Sequence, residues 1–286
     1  MNRRGQQNQK TSFTKEAFLP HNVASAEYID NLYLQLYRYA HMEVNNKNNI
    51  KIKPYILNKD FQYRDFQYLN LAVYRSILSN LDTRIKKVWS ALKFQDHPFI
   101  ISQQSRWAIG IGGVSPYGNL LLPTLHPLYG IPYLPASTLK GLMRHCWIDV
   151  NCSGNEQDVE VLKLFGFSMD EISDDEFYSA DGMGQLVFFD SYPDPNCKGK
   201  LVKDVFTPHY QDYYSSFGST SPTDDQNPIP IEFLCIEDFR FKIYIGTHKE
   251  LNDNEKNKLQ NALIYVFSEQ GIGAKTALGY GRGVSG

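Results

Sequence analysis

The sequence has few cysteines and no long apolar run. Its four cysteines, among 286 residues, occur at no CxxC spacing, and no histidine pair completes a zinc-binding set. Free thiols in a reducing compartment are therefore expected. The basic N-terminal sequence, MNRRGQQNQKTSFTK, is not followed by the apolar segment of a signal peptide, and no stretch approaches the length of a membrane span. These absences favour a cytoplasmic protein that does not bind membranes.

A large excess of charge of either sign is also missing. The formal net charge is −2 and the isoelectric point is about 6.4, so no overall positive field attracts the chain to nucleic acid. Any RNA binding must then depend on local groups of cations or on a larger assembly. Hydrophobic residues make up 42% of the chain, which is enough for a substantial core in one large domain or two small ones.

The pattern along the chain divides it into three parts. Residues 1–20 are polar and rich in glutamine and asparagine, so they are expected to form a flexible arm. Residues 21–104 contain two stretches with the apolar spacing of helices, about Ala24–Tyr39 and about Tyr68–Phe94, which predict a helical N-terminal extension. The pattern then changes to apolar residues alternating with small ones, as in strands. Residues 105–286 are therefore the predicted core.

The core pattern predicts an α+β fold. Apolar strands are indicated at Gly184–Asp190 and Phe239–Ile245, and a short helix at Val159–Phe165. With a longer helix before and after these strands, the order is strand, helix, strands, helix, strand. This is the order of the ferredoxin-like (RRM-like) fold, whose four-stranded sheet is open on one face. The polar segment between Pro208 and Pro230 is expected to be a long loop insertion.

The stretch Thr124–Trp147, TLHPLYGIPYLPASTLKGLMRHCW, is the first candidate site. Its prolines exclude a regular element in the first half, whereas the second half has the apolar spacing of a helix. Ser137 or Thr138 is predicted to cap that helix through its side-chain oxygen. Lys140 and Arg144 then lie one turn apart on its polar face. Free N–H groups, hydroxyls and two cations predict an anion-binding site, although the same pattern fits an ordinary solvated helix.

The C-terminal run GIGAKTALGYGRGVSG is the second candidate site. It is not a Walker A motif, because Ala274 precedes the lysine where glycine is required, and Thr276 stands where GxGxxG needs its third glycine. Nucleotide hydrolysis is therefore excluded. A backbone with little steric cover and nearby cations can instead lie along a phosphodiester chain. The residues expected to contact such a chain here are Gly271, Gly273, Lys275, Thr276, Tyr280 and Arg282.

Several of these motifs together resemble one known family. YGIPYLPASTLKGLMR at the helix start, LFG at Leu164–Gly166 and GIGAKTALGYGRG before the last strand are similar to the RAMP superfamily of CRISPR RNA-binding proteins. Within it, DVFTPHYQDYY and the single terminal glycine loop resemble a subunit of the type III-B effector, the Cmr complex. The resemblance covers roughly Ser105 to the C-terminus. One departure is Ala136, where the superfamily more often has glycine.

The resemblance implies a non-catalytic subunit of this ribonucleoprotein. It would bind the CRISPR guide RNA, cap the complex at the 3′ side of that RNA and contribute to antiviral interference, with His126 as a further RNA contact. Its implied partners are the backbone RAMP subunit that cuts target RNA, a small helical subunit and a neighbouring capping RAMP subunit. The target RNA would be met only indirectly, and no cofactor is implied.

The sequence itself gives one reason to expect no catalysis. The loop between Gly113 and His126, where the cutting relatives place an aspartate, reads VSPYGNLLLPTL and has no carboxylate to activate a hydroxyl or hold a metal. Two alternatives stay open. One is a metal-independent RAMP endoribonuclease that processes CRISPR RNA with His126 or His209 as general acid or base. The other is a purely structural scaffold subunit.

Overall fold

The structure is a computed structural model. It describes residues 14–17, 31–34, 37, 40–44, 50–54, 71–92, 98–111, 120–167, 182–223, 228 and 230–286. The helices are α1 (Leu71–Trp89), α2 (Ala136–Asn151), α3 (Val159–Phe165), α4 (Gln211–Ser215) and α5 (Asp253–Tyr265), the last continued by a π-helical turn at Val266–Gln270. The strands are β1 (Thr14–Ala17), β2 (Ala40–Val44), β3 (Ile50–Pro54), β4 (Phe99–Gln103), β5 (Leu120–Leu121), β6 (Leu186–Phe188), β7 (Tyr192–Pro193), β8 (Lys200–Phe206), β9 (Ile231–Glu237), β10 (Arg240–Ile243), β11 (Ile245–Thr247) and β12 (Gly283–Ser285).

The first third of the chain contains strands as well as helix. β1, β2 and β3 form an antiparallel sheet with β2 in the middle. β1 lies in the predicted flexible arm, and β2 and β3 lie in the predicted helical extension, so both expectations are wrong at these strands. The sequence of β3, IKIKP, has the two-residue period of a strand, which the helical interpretation overlooked. Most of the helix predicted at 24–39 lies outside the described residues.

The second predicted helix is confirmed as α1, and it packs on the core sheet. Trp89 donates a hydrogen bond from Nε1 to the Ile245 carbonyl at 2.8 Å. The Asp82 carboxylate accepts hydrogen bonds from the Tyr244 hydroxyl at 2.5 Å and from Lys242 Nζ at 3.2 Å. These contacts fix α1 against β10 and β11. No helix in the described part of the chain is long and apolar enough to cross a membrane.

The core sheet has the spatial order β12-β4-β10-β7, and all neighbouring strands are antiparallel. β10 continues after Tyr244 as β11, which pairs with β6, so β6 with β7 and β10 with β11 form one bent antiparallel ribbon. α2 leads from β4 and β5 towards this ribbon, and α5 leads from the ribbon towards β12. The C-terminal strand therefore returns to pair with the first strand of the core.

The first core strand is not where the sequence pattern placed it. The strand was expected to begin at Ser105, but β4 ends before that residue. Trp107 instead forms a single bridge with Ile236, and the chain turns at Gly110, whose φ is 67°. The alternation of apolar residues and glycines there therefore marks a turn that joins two sheets.

Helices cover both faces of the sheet at β10. On one face, the buried Trp107 ring stacks on Phe241 at 5.3 Å and on Phe267, which follows α5, at 5.6 Å. Lys242, the next residue on β10, points to the opposite face because strand side chains alternate, and there it meets α1. The expectation of an open sheet face is therefore wrong at this strand.

The loop expected between Pro208 and Pro230 is flanked by two paired strands and contains one short helix. β8 and β9 pair from Lys200 opposite Glu237 to Phe206 opposite Ile231, and β5 adds a parallel strand beside β9. α4 lies between β8 and β9. The DVF of DVFTPHYQDYY is therefore the end of a strand and QDYYS is a short helix, which the interpretation as an irregular loop missed.

Candidate RNA interface

The glycine loop between α5 and β12 is anchored on both sides. The Ile272 N–H donates to the Gly281 carbonyl at 3.0 Å, which closes the loop on itself. The Ala274 N–H donates to the Ala108 carbonyl at 2.8 Å, and the Gly281 N–H donates to the Arg106 carbonyl at 2.9 Å. The predicted loop is thus a fixed frame built on the segment that follows β4.

Positive φ angles explain why this frame needs glycine. Gly271 and Gly273 have φ of 78° and 90°, and a Cβ on either would lie within 3 Å of a backbone carbonyl oxygen. Gly281 has φ of 83° and would meet the Ile272 backbone in the same way. L side chains resist this conformation, so these three positions of the loop require glycine.

Lys275 differs from the glycines of this loop because it has a side chain and yet adopts a positive φ. It has φ of 63°, which is unusual for a residue other than glycine. Its Nζ lies 3.6 Å from the centroid of the Phe206 ring and 5.5 Å from that of Phe233. Burial lowers the Lys275 pKa, against the opposing charge of Asp204. The lysine expected at a phosphate is thus held on an aromatic surface.

Asp204 on β8 ties the loop to the neighbouring sheet. Its carboxylate accepts a hydrogen bond from the Tyr280 hydroxyl at 2.5 Å and one from Arg106 at 2.8 Å. Burial alone would raise the Asp204 pKa, but the hydrogen bonds from Tyr280, Arg106 and the Val205 N–H, together with the charge of Arg106, outweigh it and lower the pKa. Burial and the bond to Asp204 raise the pKa of Tyr280 to about 12. The hydrogen bond from Tyr280 to Asp204 therefore stabilises the loop.

The two remaining loop residues differ in what they do. Thr276 begins a short 3₁₀ turn, Thr276–Leu278, and is half-buried. Arg282 donates from its guanidinium to the Ser268 carbonyl at 3.0 Å, and its own carbonyl accepts the Trp107 indole N–H at 2.8 Å. Arg282 thus holds the end of the loop against the π-helical turn and the core.

The start of α2 differs from the prediction. The N-cap is Pro135, and no side-chain oxygen caps the helix. Ser137 and Thr138 lie inside the first turn and are exposed, so the prediction that one of them is the cap is wrong. The Ala136 N–H donates instead to the Asp190 carboxylate at 2.7 Å, from the loop between β6 and β7. A carboxylate of the chain itself therefore occupies part of the predicted anion site.

The two cations of α2 are both partly exposed. Arg144 has its Nη1 3.7 Å from Glu156 Oε2, a long contact with a carboxylate that is 71% exposed. Such a surface pair contributes little stability. Lys140 lies one turn closer to the start of the helix and is half-buried. The weak internal pairing leaves this face of α2 able to meet an external anion.

His126 lies in an aromatic cluster that the sequence interpretation did not assign. Its ring stacks on Tyr129 at 4.4 Å and lies 5.3 Å from Tyr133 and 5.9 Å from Tyr192. The Leu128 N–H donates to His126 Nδ1 at 3.3 Å. Burial lowers the His126 pKa although a nearby carboxylate opposes the shift, so the imidazole is neutral near pH 7. The motif YGIPYLP contained two of these tyrosines, but only the fold brings them to the histidine.

The other histidine considered as a catalyst, His209, is exposed in the bend between β8 and α4. The predicted site residues thus fall into two groups. His126 and the start of α2 lie around Asp190, whereas Lys275 and Tyr280 of the glycine loop lie around Asp204. Within the described ranges, no three histidine, cysteine, aspartate or glutamate side chains come together to hold a metal ion.

A sequence model of the RAMP superfamily matches residues 105–285. The match includes α2, α5 and the glycine loop, and it spans more than half of the chain. The chain therefore belongs to the RAMP superfamily.

Two relatives give a more specific likeness, to subunit six of the Cmr complex. The chain is 30% identical over 226 residues to the CRISPR system Cmr subunit Cmr6 of Pyrococcus furiosus, which covers 63% of this chain and 65% of that protein. It is 28% identical over 202 residues to the Cmr6 subunit of Saccharolobus solfataricus, covering 68% and 60%. The chain thus matches less than two thirds of the length of either relative.

A solved structure shares the fold. A chain in the cryo-EM structure of the type III-B Cmr-beta bound to cognate target RNA superposes with a TM-score of 0.53 at 20% identity, covering 74% of this chain and 65% of that one. At this level of identity the likeness concerns the fold.

Proposed function

We propose that the chain is a non-catalytic, RNA-binding subunit of a type III-B CRISPR effector complex and caps the 3′ side of the guide RNA. The two Cmr6 relatives and the fold shared with the RNA-bound Cmr-beta support membership of such a complex. The antiparallel order β12-β4-β10-β7, with α2 and α5 as connections, supports a ferredoxin-like core. The proposed partners are guide RNA and neighbouring Cmr subunits. The proposed location of the complex is the cytoplasm.

The observation that carries RNA binding is the anchored glycine loop. Its backbone is already fixed by bonds to Ala108 and Arg106, so little conformational entropy is lost when it binds a phosphate chain. Lys275 supplies a positive charge that forms no salt bridge among the described residues. Because α1 covers β10, the proposed RNA path follows the glycine loop and the polar face of α2 rather than the sheet.

The test uses the complex reconstituted with guide RNA and with this chain changed at Lys140→Ala and Arg144→Ala together. If both residues meet phosphates, guide retention falls by a similar factor for unrelated guide sequences. The log–log salt slope decreases by about 0.7 for each lost contact with single-stranded RNA. The matched control is a second double variant, Lys87→Ala with Lys256→Ala. It removes an exposed lysine of α1 and a half-buried lysine of α5. Retention and salt slope equal to wild type in the double variant would refute RNA binding at this face.

The absence of catalysis is tested in the same complex. His126→Ala and His209→Ala are expected to leave target RNA cutting unchanged, because the first imidazole packs on tyrosine rings and the second lies apart from it in an exposed bend. Rates of target cleavage and of guide processing are measured with guide retention as the control. Loss of either rate with normal assembly and retention would establish the chain as an endoribonuclease instead.

A further inference from the structure

A cavity of about 820 Å³ lies between the glycine loop and the segment that runs from the end of β8 through α4. Phe206 and Tyr214 on the insertion side and Leu278 on the loop side provide its apolar walls. Tyr214 is 60% exposed and Leu278 is 72% exposed, so this apolar surface is not covered within the described part of the chain. The volume is in the range of small-molecule sites and exceeds what one side chain fills.

The charge of this cavity has one sign. Among the described residues that line it, Lys275 alone carries a charge. Its ammonium group lies against the Phe206 ring rather than a carboxylate. Asp204, whose charge acts on the lysine, already accepts hydrogen bonds from Tyr280 and Arg106. A half-buried cation without a paired carboxylate favours an anionic ligand.

The backbone holds the lysine in this position at a cost. Lys275 adopts the left-handed conformation, with φ of 63° and ψ of 27°, between Gly273 and Gly279. Such a conformation is unfavourable for a residue other than glycine and persists only where the surroundings enforce it. Here the Leu278 N–H donates to the Lys275 carbonyl at 2.9 Å and closes the turn. The lysine is therefore placed by the frame of the loop.

The other walls suit a flat heteroaromatic ring. Tyr214 touches Tyr213 edge to face, with ring centroids 5.6 Å apart, so that pair is not a parallel stack. Three neutral polar side chains, Thr207, Gln211 and Ser215, complete the rim and offer donors and acceptors. Aromatic faces bind bases of any identity by stacking, and neutral polar groups bind their edges.

We propose that this cavity binds one unstacked nucleotide of the guide RNA, with its base against Tyr214 and its phosphate at Lys275. The inference rests on the proposed RNA-binding function and names the place where a base leaves the stack. An apolar side chain of a neighbouring protein is the competing occupant. The single positive charge and the neutral remainder of the described lining favour the anionic nucleotide.

The experiment uses the reconstituted complex with a guide RNA that carries 4-thiouridine in place of uridine. Near-ultraviolet irradiation followed by mass spectrometry maps crosslinked peptides, and guide dissociation is measured in parallel. The peptide containing Tyr214 is expected to carry a crosslinked nucleotide. Tyr214→Leu removes the flat ring but keeps apolar bulk, so it should abolish this crosslink and weaken guide binding by about 5- to 150-fold, the equivalent of about 1–3 kcal/mol.

Two variants serve as controls. Tyr214→Phe keeps the ring and should retain both the crosslink and wild-type binding. Tyr265→Leu removes a tyrosine on α5 that is 42% exposed and outside the cavity lining, and it should also behave as wild type.

Three outcomes would overturn the inference. If the guide crosslinks to other peptides of this chain and Tyr214→Leu changes nothing, the cavity is not a nucleotide site although the RNA-binding function stands. If a protein crosslinker joins the Tyr214 peptide to another subunit, the occupant is a protein. If no peptide of this chain crosslinks and the Lys140 and Arg144 double variant also retains guide normally, the proposed function fails as well.

Discussion

Gly273 is the position where one methyl group tests whether the glycine loop is an anchored frame. Its φ is 90°, and a Cβ there would lie 2.6 Å from the carbonyl oxygen of Ala108 and 3.0 Å from its carbonyl carbon. That oxygen also accepts the Ala274 N–H at 2.8 Å, so it cannot withdraw without weakening the bridge. Gly273→Ala is therefore expected to destabilise the fold through strain and through contact with fixed backbone.

The magnitude follows from three contributions. The left-handed conformation costs an alanine about 1–2 kcal/mol. Forcing extra volume against backbone that cannot move adds about 1–3 kcal/mol. Alanine restricts the unfolded chain and recovers about 0.4–1 kcal/mol. These contributions sum to a loss of about 1–4.6 kcal/mol in unfolding free energy. The midpoint, about 3 kcal/mol, lowers Tm by about 6–12 °C for a chain of this size.

Gly279 provides a matched control in the same loop. Its φ is 87°, nearly that of Gly273, but a Cβ there would meet nothing within 4 Å. Gly279→Ala therefore carries the strain without the clash and should cost about 1 kcal/mol or less. Urea unfolding of the free chain, followed by tryptophan fluorescence, reports both variants, and equal m-values show that the comparison concerns the folded state.

The test depends on how much more unfolding free energy is lost in Gly273→Ala than in Gly279→Ala. If Gly273→Ala costs no more than Gly279→Ala, the Ala108 backbone does not confine the loop, and the argument from an anchored frame fails. A loss in both that greatly exceeds 3 kcal/mol would show instead that the whole C-terminal segment unfolds with the loop.

Two further predictions concern the pH dependence of stability at the bond between Asp204 and Tyr280. The folded pKa of Asp204 is lowered, so the stabilisation from its ionised form is present above the unfolded pKa of about 3.9 and is lost as pH falls through the folded pKa. Asp204→Asn should therefore cost about 1–2 kcal/mol of unfolding free energy at pH 7 and much less in acid. Urea unfolding measured at a series of acidic pH values checks this. The folded pKa of Tyr280 is raised to about 12, so the stabilisation from its protonated hydroxyl is complete below pH 10 and is lost between pH 10 and 12. Tyr280→Phe should therefore reduce the fall in unfolding free energy over this pH range. An unchanged dependence on pH would contradict the hydrogen bond between Tyr280 and Asp204.

Features set by neighbouring residues in the chain could be predicted from the sequence. The apolar spacing in α1 gives that helix, and α3 ends at Gly166, whose φ of 81° needs glycine. The helix after Asn252 was also expected, and Asn252 caps it; from the sequence alone, Asp253 and Asn254 offer side-chain oxygens for the same cap. A shift of one or two residues is what competing cap residues produce, since each supplies the same side-chain oxygen.

Features set by distant partners could not be predicted in this way. The start of α2 contains hydroxyls in the right place for a cap. The Ala136 N–H instead donates to the carboxylate of Asp190, which lies more than fifty residues further along the chain. Arg282 looked like a free cation beside glycines, yet its guanidinium meets the Ser268 carbonyl. Such pairings depend on which loops the sheet brings together, and no local pattern records them.

The glycine loop shows how an almost neutral chain keeps a cation available. The chain has 29 lysines and arginines and 31 aspartates and glutamates, so a carboxylate is seldom far from a cation. Asp204 is the carboxylate that acts on Lys275, but Arg106 and Tyr280 occupy it. Lys275 is left on the Phe206 ring, where its charge stays directed at the cavity. The hydrogen bonds to Asp204 therefore have two consequences: they tie the loop to β8, and they occupy the carboxylate whose charge acts on Lys275.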